Sequence, residues 1–284
     1  TLGEGPVWDD RHQCLWFTDI QAAQLLRWDH AGGRLDRLAL PERLGSLALT
    51  SDPDVLLLAL ASGFALFTPA SGALHWLHRL ETADRGLRLN DGRVDRQGRF
   101  WAGTMVEDDT RAPPERASLW RLDPPGTAAP VALRDGIGIS NSIAFSPDGA
   151  QLYFADSPTR RIMRHPCPPG GAPLGPGAMF AELPNGHFPD GSDVDARGWL
   201  WNAEWGGRRV TAHAPDGKVM GHVPVPVSQP SCIAFGGPAL DLMFVTTARE
   251  GLDAATLANE PDAGNLLVFS GPFQGLPANR FPLF

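Results

Sequence analysis

A short motif recurs six times along the chain, and no other feature limits its fold as tightly. Each copy has a short apolar segment, a tight turn that often ends in Gly, and a second segment rich in aromatic or branched residues. The clearest copies are RVDRQGRFWAGT (93–104), IAFSPDGAQLYFAD (143–156) and DVDARGWLWNAE (193–204). The same frame fits PVWDDRHQCLWFTD (6–19), LALTSDPDVLLLAL (47–60) and IAFGGPALDLMFVTT (233–247). A third strand candidate follows each: QLLRWDH, FALFTP, SLWRLDP, RIMRHPC, RRVTAHAP and NLLVFSG. Five units then offer a fourth, such as LHWLHRL (74–80) or GAMFAEL (177–183). Four antiparallel strands in a unit of about 40 to 50 residues is the arithmetic of a propeller blade. The expected fold is therefore all-β, a six-bladed β-propeller with four antiparallel strands per blade, built as one domain from residues 1–284. Only the sixth unit lacks an evident fourth strand. Either residues before Thr1 or the tail NRFPLF would supply it, and the pattern does not choose between them.

The repeats also locate a candidate site. Stepping back four residues from the last apolar residue before each turn (Trp8, Leu49, Val94, Phe145, Val194, Phe235) reaches Glu4, Gly45, Asn90, Asn141, Asp190 and Ser231. First strands line a propeller's channel, so these positions converge at one height on the axis. Polar residues often stand at strand starts merely because turns are near. Here the set is biased to carboxylate and carboxamide, and two carboxylates forced together repel unless a cation lies between them. Such oxygens suit Ca²⁺, Mg²⁺ or Mn²⁺, and carboxylates also admit Zn²⁺.

Composition narrows the partners. Acidic residues outnumber basic ones, 32 against 24, and no Lys/Arg run occurs, so a nucleic-acid partner is not expected. No apolar run approaches the roughly 20 residues of a membrane helix, and the N-terminus lacks a signal-peptide layout, so a soluble, cytoplasmic protein with no membrane partner is expected. Cys14, Cys167 and Cys232 are odd in number and form no CxxC pair, which reads as buried small side chains rather than disulfides or a thiolate site. The GxSxG, HExxH and P-loop patterns are absent, which removes the usual support for serine-hydrolase, zincin and nucleotide chemistry.

The motifs GEGPVW (3–8), RLNDGRVDRQGRFWAGTM (88–105), ISNSIAFSPDG (139–149), PDGSDVDARGWLW (189–201), NAEWGGRRV (202–210) and TTAREGLD (246–253) with AGNLLVF (263–269) stand in one order. In these the chain resembles the senescence marker protein, gluconolactonase and regucalcin-like family of six-bladed propellers. The resemblance implies one divalent ion (Ca²⁺, Zn²⁺, Mn²⁺ or Mg²⁺) on Glu4, Asn141 and Asp190, substrate contacts from Arg88 and Asn90, and hydrolysis of aldonolactones such as gluconolactone. An acidic residue after GTM binds substrate in some members; of Glu107, Asp108 and Asp109, Asp108 aligns best.

Lactone hydrolysis needs a polarised carbonyl, a delivered water and a stabilised oxyanion. A cation serves the first and third, and Asp190 is the candidate base for the second. Arg88 alternatively pairs with Asp91 or Asp95. Asp91 itself reads as a turn residue before Gly92. His187 reads as a general base, a pocket wall or, by default, a solvated loop residue; Asp19 and Asp156 as supports behind the ligands or, by default, turn-bonding residues; and Trp205 as a pocket wall or, by default, packing between blades. Two other readings stay open: a metal-dependent phosphotriesterase or acyl-homoserine lactonase on the same fold, and a non-catalytic calcium-binding or interaction propeller.

Overall fold

The computed structural model describes residues 1–80, 86–167 and 174–284. Six antiparallel sheets follow one another along the chain. The first contains β1 (Gly3–Asp9), β2 (Cys14–Asp19), β3 (Gln24–Asp29) and β4 (Leu35–Ala39). The second contains β5 (Leu44–Leu49), β6 (Leu56–Leu60), β7 (Gly63–Thr68) and β8 (Ala73–Arg79). The third has β9 (Leu87–Val94), β10 (Phe100–Val106), β11 (Ala117–Leu122) and β12 (Val131–Ile137). In the fourth are β13 (Ser140–Phe145), β14 (Gln151–Asp156), β15 (Arg161–Pro166) and β16 (Ala178–Glu182). The fifth comprises β17 (Phe188–Val194), β18 (Leu200–Trp205), β19 (Arg209–His213) and β20 (Val219–Pro224). The last has β21 (Pro230–Gly236), β22 (Leu242–Thr247) and β23 (Leu266–Ser270). Their first strands touch in the cyclic order β1, β5, β9, β13, β17, β21 and back to β1, which closes the six-bladed propeller.

The repeated turn has a physical cause. In VDRQG and VDARG, Asp95 and Asp195 are fully buried. Asp95 Oδ1 accepts from the backbone N–H of Gln97 and Arg99, and Oδ2 accepts from Trp101 Nε1 at 2.8 Å. Asp195 repeats this with the N–H of Arg197 and Trp199, and with Trp201 Nε1 at 3.0 Å. Gly98 and Gly198 both take φ +80°, the left-handed value that ends such a turn and is cheap only for Gly. One carboxylate thus shapes the hairpin and holds the Trp that packs on the next blade. Trp101 meets Phe145 at 5.6 Å and Trp201 meets Phe235 at 6.1 Å, both edge-on, while Trp8 stacks on Phe244 at 5.6 Å across the closure.

Two features depart from the repeat. The sixth sheet has three strands among the described residues, and the tail does not complete it. Phe281 instead bridges Thr50 and is fully buried among Ala48, Leu57 and Phe100 between the second and third blades. Residues 276–279 cross the lower mouth of the channel, where Asn279 donates to the Val94 carbonyl and accepts from Arg96. A short helix α1 (Ala254–Asn259), which no periodicity announced, is capped by Asp253 accepting from the Thr256 N–H at 2.7 Å. No helix among the described residues is long and apolar enough to cross a membrane. All three cysteines are free and buried, as expected.

Removing the Asp195 carboxylate strands two backbone N–H groups and an indole N–H in the interior. Asp195→Ala is expected to cost about 3 kcal/mol of unfolding free energy, read from denaturant midpoints; a loss below about 0.5 kcal/mol would contradict this role for the turn.

Candidate active site

Each first strand breaks register with its neighbour at the height reached by the four-residue step. The breaks lie between Glu4 and Val7, Leu44 and Ser46, Leu89 and Gly92, Asn141 and Ala144, Pro189 and Ser192, and Pro230 and Cys232. A bulge adds a residue on one strand and re-aims the side chains beside it. Gly5 (φ +55°) and Ser142 (φ +57°) occupy the left-handed region directly after Glu4 and Asn141. For a serine that conformation is strained, and such strain concentrates at functional sites.

The bulges bring Glu4, Asn90, Asn141 and Asp190 to one cavity of about 370 Å³, with Arg88 beside them. All five are buried. Leu2, Met105, Ile139, Pro158, Phe188 and Trp205 form its apolar walls, and Ser157 and Glu250 add polar groups. Two of the six axial positions contribute no side chain. At Gly45 a Cβ would lie 2.5 Å from the Leu89 carbonyl oxygen, so the second and third blades meet there backbone to backbone. The Ser231 hydroxyl donates to the Gly3 carbonyl at 2.5 Å and ties the sixth blade to the first.

Electrostatics single out the carboxylates. Burial first, and then the charge of Asp91, push the Glu4 carboxyl up to about 8. Burial and the Glu4 charge hold Asp190 well above the ordinary carboxylate range. Burial also raises Asp91. The Asp91 carboxylate accepts from the Ile143 N–H at 2.8 Å. Asp91 is thus a buried strand residue linking the third and fourth blades, where the sequence suggested a turn. Among the described residues no group of three or more His, Cys, Asp and Glu is arranged to hold an ion alone. A cation here would need the Asn141 oxygen together with Glu4 and Asp190. The donor set fits a hard divalent ion: two carboxylates that repel in a low-dielectric cavity, and one carboxamide oxygen.

Arg88 pairs with neither Asp91 nor Asp95. Its Nε donates to Glu107 at 3.2 Å, and its Nη1 donates to Asn90 Oδ1 at 2.6 Å and to the Leu89 carbonyl; Nη2 takes no part in these bonds. Glu107 also pairs with Arg43. The acidic loop therefore reaches Arg88 through Glu107. Asp108, favoured by the alignment, lies in the exposed loop, accepts from Thr110 and does not line the cavity. Asp19 accepts from the Leu2 N–H, and Asp156 from the N–H of Gly138 and Ile139, so both anchor the backbone just before Glu4 and Asn141. His187 bonds Glu204 at 2.6 Å outside the cavity, whereas its neighbour Phe188 lines it. Trp205 both walls the cavity and packs on Leu2, Ile20 and Ala248. Sequence reasoning missed Ser157, Met105 and Ile139 because they lie outside the four-residue frame.

The family described as SMP-30/Gluconolactonase/LRE-like region matches residues 2–249. The L-arabinolactonase of Azospirillum brasilense is 43% identical over 99% of this chain and 92% of its own length. The 6-deoxy-6-sulfogluconolactonase of Pseudomonas putida is 37% identical over 93% of this chain and 89% of its own. The crystal structure of a calcium-binding protein, regucalcin, from Agrobacterium tumefaciens aligns with a TM-score of 0.92 at 34% identity, covering 99% of this chain and 93% of that one.

The Glu4 shift has a consequence for stability. The folded chain keeps this proton up to about 8, while the unfolded chain releases it near 4.5, so between these values folding takes up a proton. In chelator-stripped protein the melting temperature is therefore expected to fall as pH rises through that window. Glu4→Gln should flatten the fall; equal slopes in the two proteins would contradict the assignment.

Proposed function

The chain belongs to the SMP-30/gluconolactonase/LRE-like family, and on that premise we propose that it hydrolyses sugar lactones of the aldonolactone class to aldonic acids with the help of one divalent cation. One observation carries the reading: two buried carboxylates and an oriented carboxamide share the end of a cavity that has apolar walls and is of ligand size. Glu4, Asn141 and Asp190 would hold the ion. The chemistry a divalent cation supplies there is Lewis-acid polarisation of the lactone carbonyl and compensation of the oxyanion charge.

The chain's own groups do the rest. Arg88 is held in place by Glu107 and Asn90 and directs Nη2 hydrogen-bond donation toward substrate hydroxyls. Asn90 supplies the remaining lone pair of its Oδ1. Phe188 and Trp205 offer flat apolar surface to the C–H face of a sugar ring. The Asp190 carboxylate accepts the proton of the attacking water and returns it to the ring oxygen as the acyl C–O bond breaks. A cation shared with Glu4 would hold Asp190 ionised, the state in which a carboxylate can take the proton. Asp108 has no part in this proposal; Glu107 replaces it as the acidic loop residue, acting through Arg88.

Protein stripped of divalent ions should regain acid release from aldonolactones when Ca²⁺, Zn²⁺, Mn²⁺ or Mg²⁺ is added, and should turn over paraoxon and acyl-homoserine lactones poorly by comparison. Preference for the phosphotriester would overturn the substrate class, and full activity in chelator would overturn the role of the cation. Asp190→Asn should lower kcat about a hundredfold or more; unchanged turnover would remove Asp190 as the base.

A further inference from the structure

We infer that Ser157 is a positioning residue that turns the Asn141 amide so that its oxygen, not its nitrogen, faces the axis. This rests on the cation-assisted reading above and extends it to a residue outside the repeat frame. A carboxamide has a donor end and an acceptor end of nearly the same shape, and only the acceptor end is useful to a cation.

The orientation follows from a chain of hydrogen bonds whose two ends are unambiguous. Arg88 can only donate, and its Nη1 donates to Asn90 Oδ1 at 2.6 Å. Asn90 Nδ2 then donates to the Ser140 carbonyl at 3.0 Å and to Asn141 Oδ1 at 2.9 Å. Asn141 Nδ2 donates to Ser157 Oγ at 2.9 Å, and Ser157 Oγ donates to the Pro189 carbonyl at 2.6 Å. That carbonyl can only accept. The single hydroxyl proton of Ser157 is therefore committed to Pro189, and what it presents to Asn141 is a lone pair. A flipped Asn141 would set oxygen against that lone pair and NH₂ against the Asn90 NH₂, two repulsive contacts in a buried setting. Ser157 and Asn141 are each only 6% exposed, so an unmatched pair of polar groups there carries a desolvation cost. The same hydroxyl joins the Asn141 strand to the residue preceding Asp190, and so spans the fourth and fifth blades.

The position of Ser157 supports such a role. It opens the 3-10 turn Ser157–Thr159 directly after β14, with Pro158 next to it, and its own N–H donates to the Ile139 carbonyl at 3.0 Å. The backbone is thus held by Ile139 and the hydroxyl by Asn141 and Pro189, in a residue that borders the cavity.

The test measures Mn²⁺ binding to metal-free protein by calorimetry and by the electron paramagnetic resonance of free Mn²⁺, beside denaturant midpoints. Ser157→Ala should weaken Mn²⁺ binding about tenfold or more, the usual cost of losing a group that orients a ligand. Ser157→Thr, which keeps the hydroxyl, should bind Mn²⁺ within about threefold of the parent, inside the context scatter of such contacts. In an Asn141→Asp background both ends of the side chain are oxygen, so adding Ser157→Ala should no longer weaken binding. If the parent binds Mn²⁺ and Ser157→Ala binds it equally well, the inference fails and the cation reading stands, even where the variant is less stable. If the parent binds no divalent ion, both fail.

Discussion

Two carboxylates buried side by side at the axis of a ring repel each other, and the surroundings of Glu4 and Asp190 are organised around that repulsion. Water would screen it, but the cavity places both groups among protein atoms, where charge interactions are several times stronger. Arg88 lowers the cost only in part, because it is itself desolvated and committed to Glu107 and Asn90. A protein has two ways to hold such a pair: protonate it or place a cation between its members. The first explains the raised proton affinities; the second converts the same cost into binding energy for an ion.

The fold makes this cluster possible by keeping regular what can be regular. Buried aspartates in the turns between first and second strands, Trp rings packed across blade boundaries and a tail laid over the lower mouth tie the ring together. On the first strands irregularity falls at one height, where every blade breaks register. The lower channel, where Trp8, Phe145 and Phe235 stand beside Arg93 and Asp193, keeps only about 50 Å³ of space, so the roomy part of the tunnel lies at the other end, with Glu4 and Asp190.

The repeat made the strands and the axial set legible because both are properties of spacing. Glu4, Asn90, Asn141 and Asp190 share a frame, and the bulge that aims them recurs in that frame. Ser231 shares it too but has only a hydroxyl, which the Gly3 carbonyl captures. What lay beyond spacing was loop geometry. Adjacent Glu107 and Asp108 differ little as letters, yet the loop between β10 and β11 sends one toward Arg88 and leaves the other to bond Thr110. Ser157 was hidden for a related reason: it follows a second strand, in a 3-10 turn that no other blade repeats among the described residues. Asp91 was misread because Asp-Gly is a turn signal locally, while here a bulged strand absorbs the pair and buries the carboxylate against Ile143.

Anomalous diffraction from crystals soaked in Mn²⁺ tests the account most directly. It predicts one strong peak per chain on the axis, within bonding distance of oxygens from Glu4, Asn141 and Asp190. A chain with no peak there, or with its peak lower in the channel beside Asp193, would contradict it.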